Sequence, residues 1–170
     1  MNQTTTRSTS KQIAFVILMA ASANILALFV LPIGVMSVHF IQIPIILTGF
    51  VLGPVAGGLV GFAGATSMAL TLPRVNPYIL LGNAILGAFT GLFYGRIRKS
   101  WRRPLVPQIL SALGACMVQF PYVYVTDVYL MGMPQPVVMV IIVALFVEDL
   151  ISIFISHVIL NRIDVSNVLK

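Results

Sequence analysis

The sequence predicts an all-α, polytopic membrane protein with six transmembrane helices and both termini cytoplasmic. Composition is the first reason. Of 170 residues, 59% are hydrophobic and 8% charged, with a mean hydropathy of +1.03, whereas soluble domains carry about 25% charged residues. The second is spacing, since apolar runs separated by short polar connections have the lengths of bilayer-crossing helices. Charge asymmetry is the third. Arg7, Lys11, Arg96, Arg98, Lys99, Arg102, Arg103, Arg162 and Lys170 fall on one side of a six-span layout, and only Arg74 falls on the other. Under the positive-inside rule this face is cytoplasmic. Topology thereby accounts for the net charge of +6, and no basic face is left over to track nucleic-acid phosphates.

Residues 1–11 are polar, basic and rich in Thr and Ser, which predicts a short disordered cytoplasmic tail. Residues 12–160 make a single transmembrane domain, and 161–170 a second cytoplasmic tail. The first span covers residues 12–31. A cleaved signal peptide is the alternative, because Lys11 precedes an apolar core and Ala21-Ser22-Ala23 has small residues at a cleavage spacing. The apolar run continues unbroken to Leu31, which favours a retained helix. On that helix Ala20, Ala23 and Ala27 share one face beside Asn24, a smooth strip that another helix can approach closely.

Pro32 and Gly34 end the first span, and residues 35–40 lead into a short second helix. From Ile41 to Gly53 the chain is apolar apart from Gln42 and Thr48. At about 1.5 Å per residue this reaches only about 20 Å, short of a hydrocarbon core of roughly 30 Å. Pro44 belongs in its first turn, so the helix starts below the outer surface. Irregular backbone at that depth implies a recess, with His39 and Gln42 at its rim. Gly53-Pro54 then makes a tight turn. The third span, residues 54–72, sets Gly57, Gly61 and Ala65 four apart, a pattern that brings helix backbones together. The loop TLPRVNPY supplies Asn76. Span four, residues 78–94, carries Asn83 and repeats the device with Gly87, Gly91 and Gly95. A basic run, RIRKSWRRP, precedes span five, residues 104–125, which has Gln119 and Pro121 toward its far end. The loop TDVYLMGMPQP, with Asp127 read as solvated, leads to span six, residues 136–160. Tyr78, Tyr122, Tyr124 and Tyr129 gather at the outer interface, as belt residues or as stacking groups.

Glu148 and Asp149 lie near the middle of span six, where a charged residue costs roughly 2.5 to 3.5 kcal/mol on insertion scales. Neighbours diverge by about 100° around a helix, so Asp149, Ser152 and Ser156 form one stripe with Glu148 at its edge, facing the bundle interior. The carboxylates read either as a site for a polar or cationic ligand group or a proton, or as a structural pair with Asn24, Gln119 or His157. His39, Gln42, Asn76, Asn83 and Gln119 join them as candidate substrate contacts. Cys116 is the only cysteine, so no intrachain disulfide is expected. The histidines His39 and His157 are far apart in sequence, and no metal cluster is expected. There is no Ser-His-Asp, Cys-His or paired-acid arrangement with supporting context, and the glycines lack a phosphate-loop lysine, so an enzyme is not expected.

Taken together, the six-span size, the alanine strip, the run HFIQIPIILTGFVLGPVAGGLVGFAGA and the run NPYILLGNAILGAFTGLFYGR before a basic loop resemble the S components of energy-coupling factor (ECF) vitamin transporters. Coverage is nearly the whole chain, through loose motifs of small and apolar residues. Riboflavin-type members look closest around the Ile-Pro and Leu-Gly-Pro elements, although they often carry acids where this chain has His39 and Gln42. The resemblance implies a non-enzymatic, substrate-binding subunit in a prokaryotic plasma membrane, with a vitamin or related micronutrient as transported substrate and no cofactor. It implies an outward-facing pocket capped by the loops after spans one, three and five, and places Glu148 and Asp149 on the sixth helix. The implied partners are a membrane coupling subunit docking on Ala20, Ala23 and Ala27, two cytoplasmic ATPases, and lipid. The cobalt and nickel branch has a histidine after the initiator methionine where this chain has Asn2, which argues against a metal substrate. The residues alone leave open a stand-alone permease or proton-coupled carrier using Glu148 or Asp149, and a non-transporting assembly subunit.

Overall fold

The computed structural model describes residues 3–33, 36–71, 75–101 and 104–162. Asn2, Gly34, Arg74, Arg102, Arg103, Lys170 and the tail after Arg162 lie outside the described residues. The order is α1 (Gln3–Leu26), β1 (Val30–Ile33), β2 (Met36–His39), α2 (Gln42–Leu52), α3 (Pro54–Gly64), α4 (Thr66–Thr71), α5 (Tyr78–Ile97), α6 (Leu105–Val125) and α7 (Gln135–Arg162). A 3-10 turn, Arg98–Ser100, prolongs α5, and a π-helical turn, Thr126–Leu130, prolongs α6. Five segments are long and apolar enough to cross a membrane: Thr9–Leu26, Pro54–Thr71, Tyr78–Ser100, Leu105–Leu130 and Gln135–Arg162. The sixth apolar helix, α2, has only 11 residues, as its sequence predicts.

Three local features depart from the sequence reading. Helix α1 starts at Gln3, within the segment whose polar composition predicts a disordered tail. It also stops at Leu26, and the end of the expected first span becomes an antiparallel hairpin, with Val30 opposite His39 and Leu31 opposite Val38. This hairpin is an addition to an otherwise helical chain. Pro32 biases the residue before it toward extended backbone, and the β-branched and apolar residues around it suit a strand. Finally, the third span is broken at Ala65 into α3 and α4. Asn24 of α1 holds the break: its amide donates to Ala63 O at 2.8 Å, and its Oδ1 accepts the Ser67 N–H at 2.7 Å.

Helix α2 sits at the centre, with Ile45, Ile46 and Thr48 wholly buried. It ends at Gly53, whose φ of +86° suits glycine at the turn into α3. Helices α3 and α5 meet backbone to backbone. A Cβ at Gly57 would overlap the Gly87 carbonyl, and one at Gly61 would overlap the Asn83 carbonyl, so the four-residue glycine spacing acts as the sequence predicts.

The alanine strip faces inward as well. Ala23 and Ala27 are 0% and 3% exposed, Ala20 is half-buried, and a Cβ on Gly64 of α3 would fall 2.5 Å from the Ala23 Cβ. Ala23 and Ala27 therefore pack within the chain, Ala23 against Gly64 of α3. Ala23→Leu is expected to lower stability by about 1–3 kcal/mol through overpacking, read as a fall in melting temperature in detergent. An unchanged melting temperature would return the strip to the surface.

Candidate functional site

A cavity of about 580 Å³ opens between the starts of α2, α5 and α7 and the end of α6. Helix α5 runs from this cavity to the basic stretch beginning at Arg96, so the two features occupy opposite ends of the bundle. Apolar walls come from Ile41, Met68, Ile79, Val123, Ile141 and Leu145, and the turn Met131-Gly132-Met133-Pro134 also lines it. This volume lies within the roughly 300–1,000 Å³ of small-molecule sites, which combine apolar walls with a few placed polar groups.

The short α2 delivers Gln42 into the cavity. The residue is 0% exposed, and neither its Nε2 nor its Oε1 has a partner among the described residues. Gln119 of α6, 1% exposed, presents an unpartnered Oε1, and Glu148 of α7, 2% exposed, an unpartnered Oε2. Such groups are costly to bury without a partner. The other carboxylate oxygen of Glu148 accepts the His39 backbone N–H at 2.7 Å, fastening the hairpin to α7. The His39 ring in turn donates from Nδ1 to Ala27 O at 3.3 Å. Burial pushes the His39 imidazole below its usual pKa, and the Ala27 carbonyl pulls it partly back.

A second polar group lies at the mouth. Asn76 donates to Asp127 Oδ1 at 3.1 Å, while its Oδ1 accepts the Tyr78 N–H at 3.1 Å and so helps start α5. Tyr122 donates to Tyr78 O at 3.1 Å. Asp127 is brought there by the π-helical turn, which the Thr126 hydroxyl supports through bonds to Tyr122 O and Val123 O. Turns of this kind often mark functional sites. Asn83 donates to Ile79 O at 3.0 Å.

Of the seven substrate contacts expected from the sequence, His39, Gln42, Asn76, Asn83, Gln119 and Glu148 line this cavity. Asp149 does not. It is fully buried, and its Oδ2 accepts from Cys116 Sγ at 2.7 Å. The structural partners expected for the two carboxylates are not the observed ones. Asn24 bonds to α3 and α4, His157 shares a 2.6 Å hydrogen bond with Gln108, and Gln119 leaves its oxygen unpartnered. Asp127, read as solvated, is buried and lines the cavity. Tyr78 and Tyr122 also line it, whereas Tyr129 is exposed and stacks edge-on with Tyr124. A polar residue just after a helix gave the sequence no sign of the π turn that buries Asp127. The cavity offers amide donors and acceptors and carboxylates around an apolar slot. Among the described residues no group of three or more His, Cys, Asp or Glu side chains is placed to hold a metal.

A family model described as "ECF-type riboflavin transporter, S component" matches residues 7–164. No curated protein matches the chain. Among solved structures, the S component of a bacterial ECF transporter is similar in fold, with a TM-score of 0.70 at 22% identity over 95% of this chain and 99% of that one. With the family match spanning nearly all of the sequence, the chain belongs to the ECF-type riboflavin transporter S components, and is the substrate-binding subunit of an ECF transporter.

Proposed function

We propose that the subunit captures riboflavin, or a close flavin analogue, in the cavity at the outer end of the bundle. The observation that carries this reading is the convergence of the unpartnered Gln42 amide, Gln119 Oε1 and Glu148 Oε2 on one apolar slot. A flavin is a flat, largely apolar ring system. One edge alternates carbonyl acceptors with an N–H donor, and a flexible tail carries hydroxyl groups. The Gln42 amide offers a matching donor and acceptor, Glu148 accepts from an N–H or a hydroxyl, and the Asn76–Asp127 pair suits the hydroxyl tail. Asn83 and His39 complete the polar lining. Acids from α7 and the π turn serve where riboflavin-type relatives carry them at the positions of His39 and Gln42. Asp149 acts indirectly, by holding α7 against α6 through Cys116.

In this reading α2 completes a six-helix bundle in a prokaryotic plasma membrane, both termini are cytoplasmic, and the cavity faces outward, as the nine-to-one split of basic residues in the six-span sequence layout supports. The subunit has no enzymatic activity, and riboflavin is its transported substrate rather than a cofactor. A membrane coupling subunit and two cytoplasmic ATPases supply the energy. In proteoliposomes, riboflavin uptake is expected only when this coupling module is present and ATP is inside, with biotin and thiamine failing to compete. Uptake by the chain alone under a pH gradient would establish a permease instead, and competition by an unrelated vitamin would overturn the flavin assignment.

A further inference from the structure

A second concavity, of about 360 Å³, lies at the opposite end of the bundle. Its floor is backbone where the α2–α3 turn meets α5, at Gly49, Gly53, Gly91 and Gly95, and its sides are Phe50, Val51 and Tyr94. Arg98 and Lys99 stand at its rim, both exposed, with the Arg98 guanidinium 6.0 Å from the centre of the Tyr94 ring. No described acid compensates these cations. Asp127 and Glu148 line the other cavity, and Asp149 is buried against Cys116.

We propose that this pocket binds the phosphate headgroup of an anionic phospholipid. Basic pockets between helices at a membrane face are suited to such headgroups, each nearby cation strengthening binding about fivefold. Arg98 and Lys99 supply the charge, and the glycine floor leaves room for the phosphate and glycerol. Two features favour a lipid over a free anion. The pocket lies where the membrane-spanning part of α5 gives way to a basic stretch containing Trp101, 48% exposed, as interfacial residues are. From the α2–α3 turn, Val55, Leu59 and Phe62 of α3, exposed at 76%, 57% and 46%, continue as an apolar track at helical spacing along which an acyl chain can lie.

Trp101 is the only tryptophan, and its backbone N–H bonds to Arg98 O at 3.4 Å, so it reports on this pocket. The test places the full chain in phosphatidylcholine vesicles containing brominated phosphatidylglycerol, and compares brominated phosphatidylcholine in phosphatidylglycerol vesicles. Preferential quenching by the brominated phosphatidylglycerol is expected. Arg98→Gln and Lys99→Gln are each expected to weaken the preference about fivefold, and Gly95→Glu to abolish it by placing a carboxylate among the cations. A Cβ at Gly95 meets nothing within 4 Å, so Gly95→Ala should retain both the preference and the melting temperature. Equal quenching by the two lipids would overturn the proposal, as would a preference that survives in the Arg98→Gln/Lys99→Gln double variant. Relief of quenching by millimolar inorganic phosphate would assign the pocket to a free anion rather than a lipid.

Discussion

Glu148→Ala is expected to weaken flavin binding about 10- to 100-fold, because it removes a hydrogen-bonding carboxyl group from a buried site and leaves its partners unpaired. The substitution acts twice. It removes Oε2 from the cavity and also frees the His39 N–H, which Oε1 holds at 2.7 Å. Glu148→Gln separates these effects. A glutamine keeps a carbonyl acceptor for the His39 N–H but puts an amide donor where the second carboxyl oxygen stood, so it should retain a slow-exchanging His39 amide and an intermediate affinity. Titration of the purified variants, with hydrogen exchange at His39, checks both points. Wild-type affinity in Glu148→Ala would remove Glu148 from the site, and rapid exchange at His39 in Glu148→Gln would contradict the hairpin latch.

Gly61→Leu is expected to prevent the bundle from assembling. A Cβ at this position already overlaps the Asn83 carbonyl of α5, and a backbone atom cannot rotate aside as a side chain can. Gly61→Ala introduces the Cβ alone, and should cost about 1–3 kcal/mol, the range for overpacking, seen as a lower melting temperature in detergent. Because Asn83 lines the cavity, the alanine variant should also bind flavin more weakly. Gly95→Ala, with open space around its Cβ, is the matched control. Equal melting of the two alanine variants would show that α3 and α5 are not in backbone contact at Gly61.

Much of this architecture was legible because bilayer constraints act on local sequence. Length and hydropathy define the spans, glycines four apart define the α3–α5 contact, and Pro44 with Gly53-Pro54 defines the short α2. The alanine strip illustrates the ambiguity of small residues: Ala23 suits a partner helix or α3 equally well, and in the structure it packs against Gly64. The hairpin escaped because Val30 and Leu31 fit an apolar helix and a strand alike. Within the site, Glu148 and Gln42 stood out as polar residues in apolar surroundings. Their neighbours across the cavity depend on contacts distant in sequence, and Asp127 depends on a π turn with no sequence signature. Asp149 and Glu148 are adjacent in the chain, yet the helix turns one toward Cys116 and the other into the cavity.

The proposed flavin site is the cavity between the starts of α2, α5 and α7 and the end of α6. Stoichiometric titration of the purified chain with riboflavin, followed by the quenching of riboflavin fluorescence, tests it most directly. One flavin per chain is predicted, with saturable quenching weakened in Gln42→Ala and Glu148→Ala but preserved in Arg98→Gln at the opposite end. No binding, or binding that all three variants leave unchanged, would contradict it.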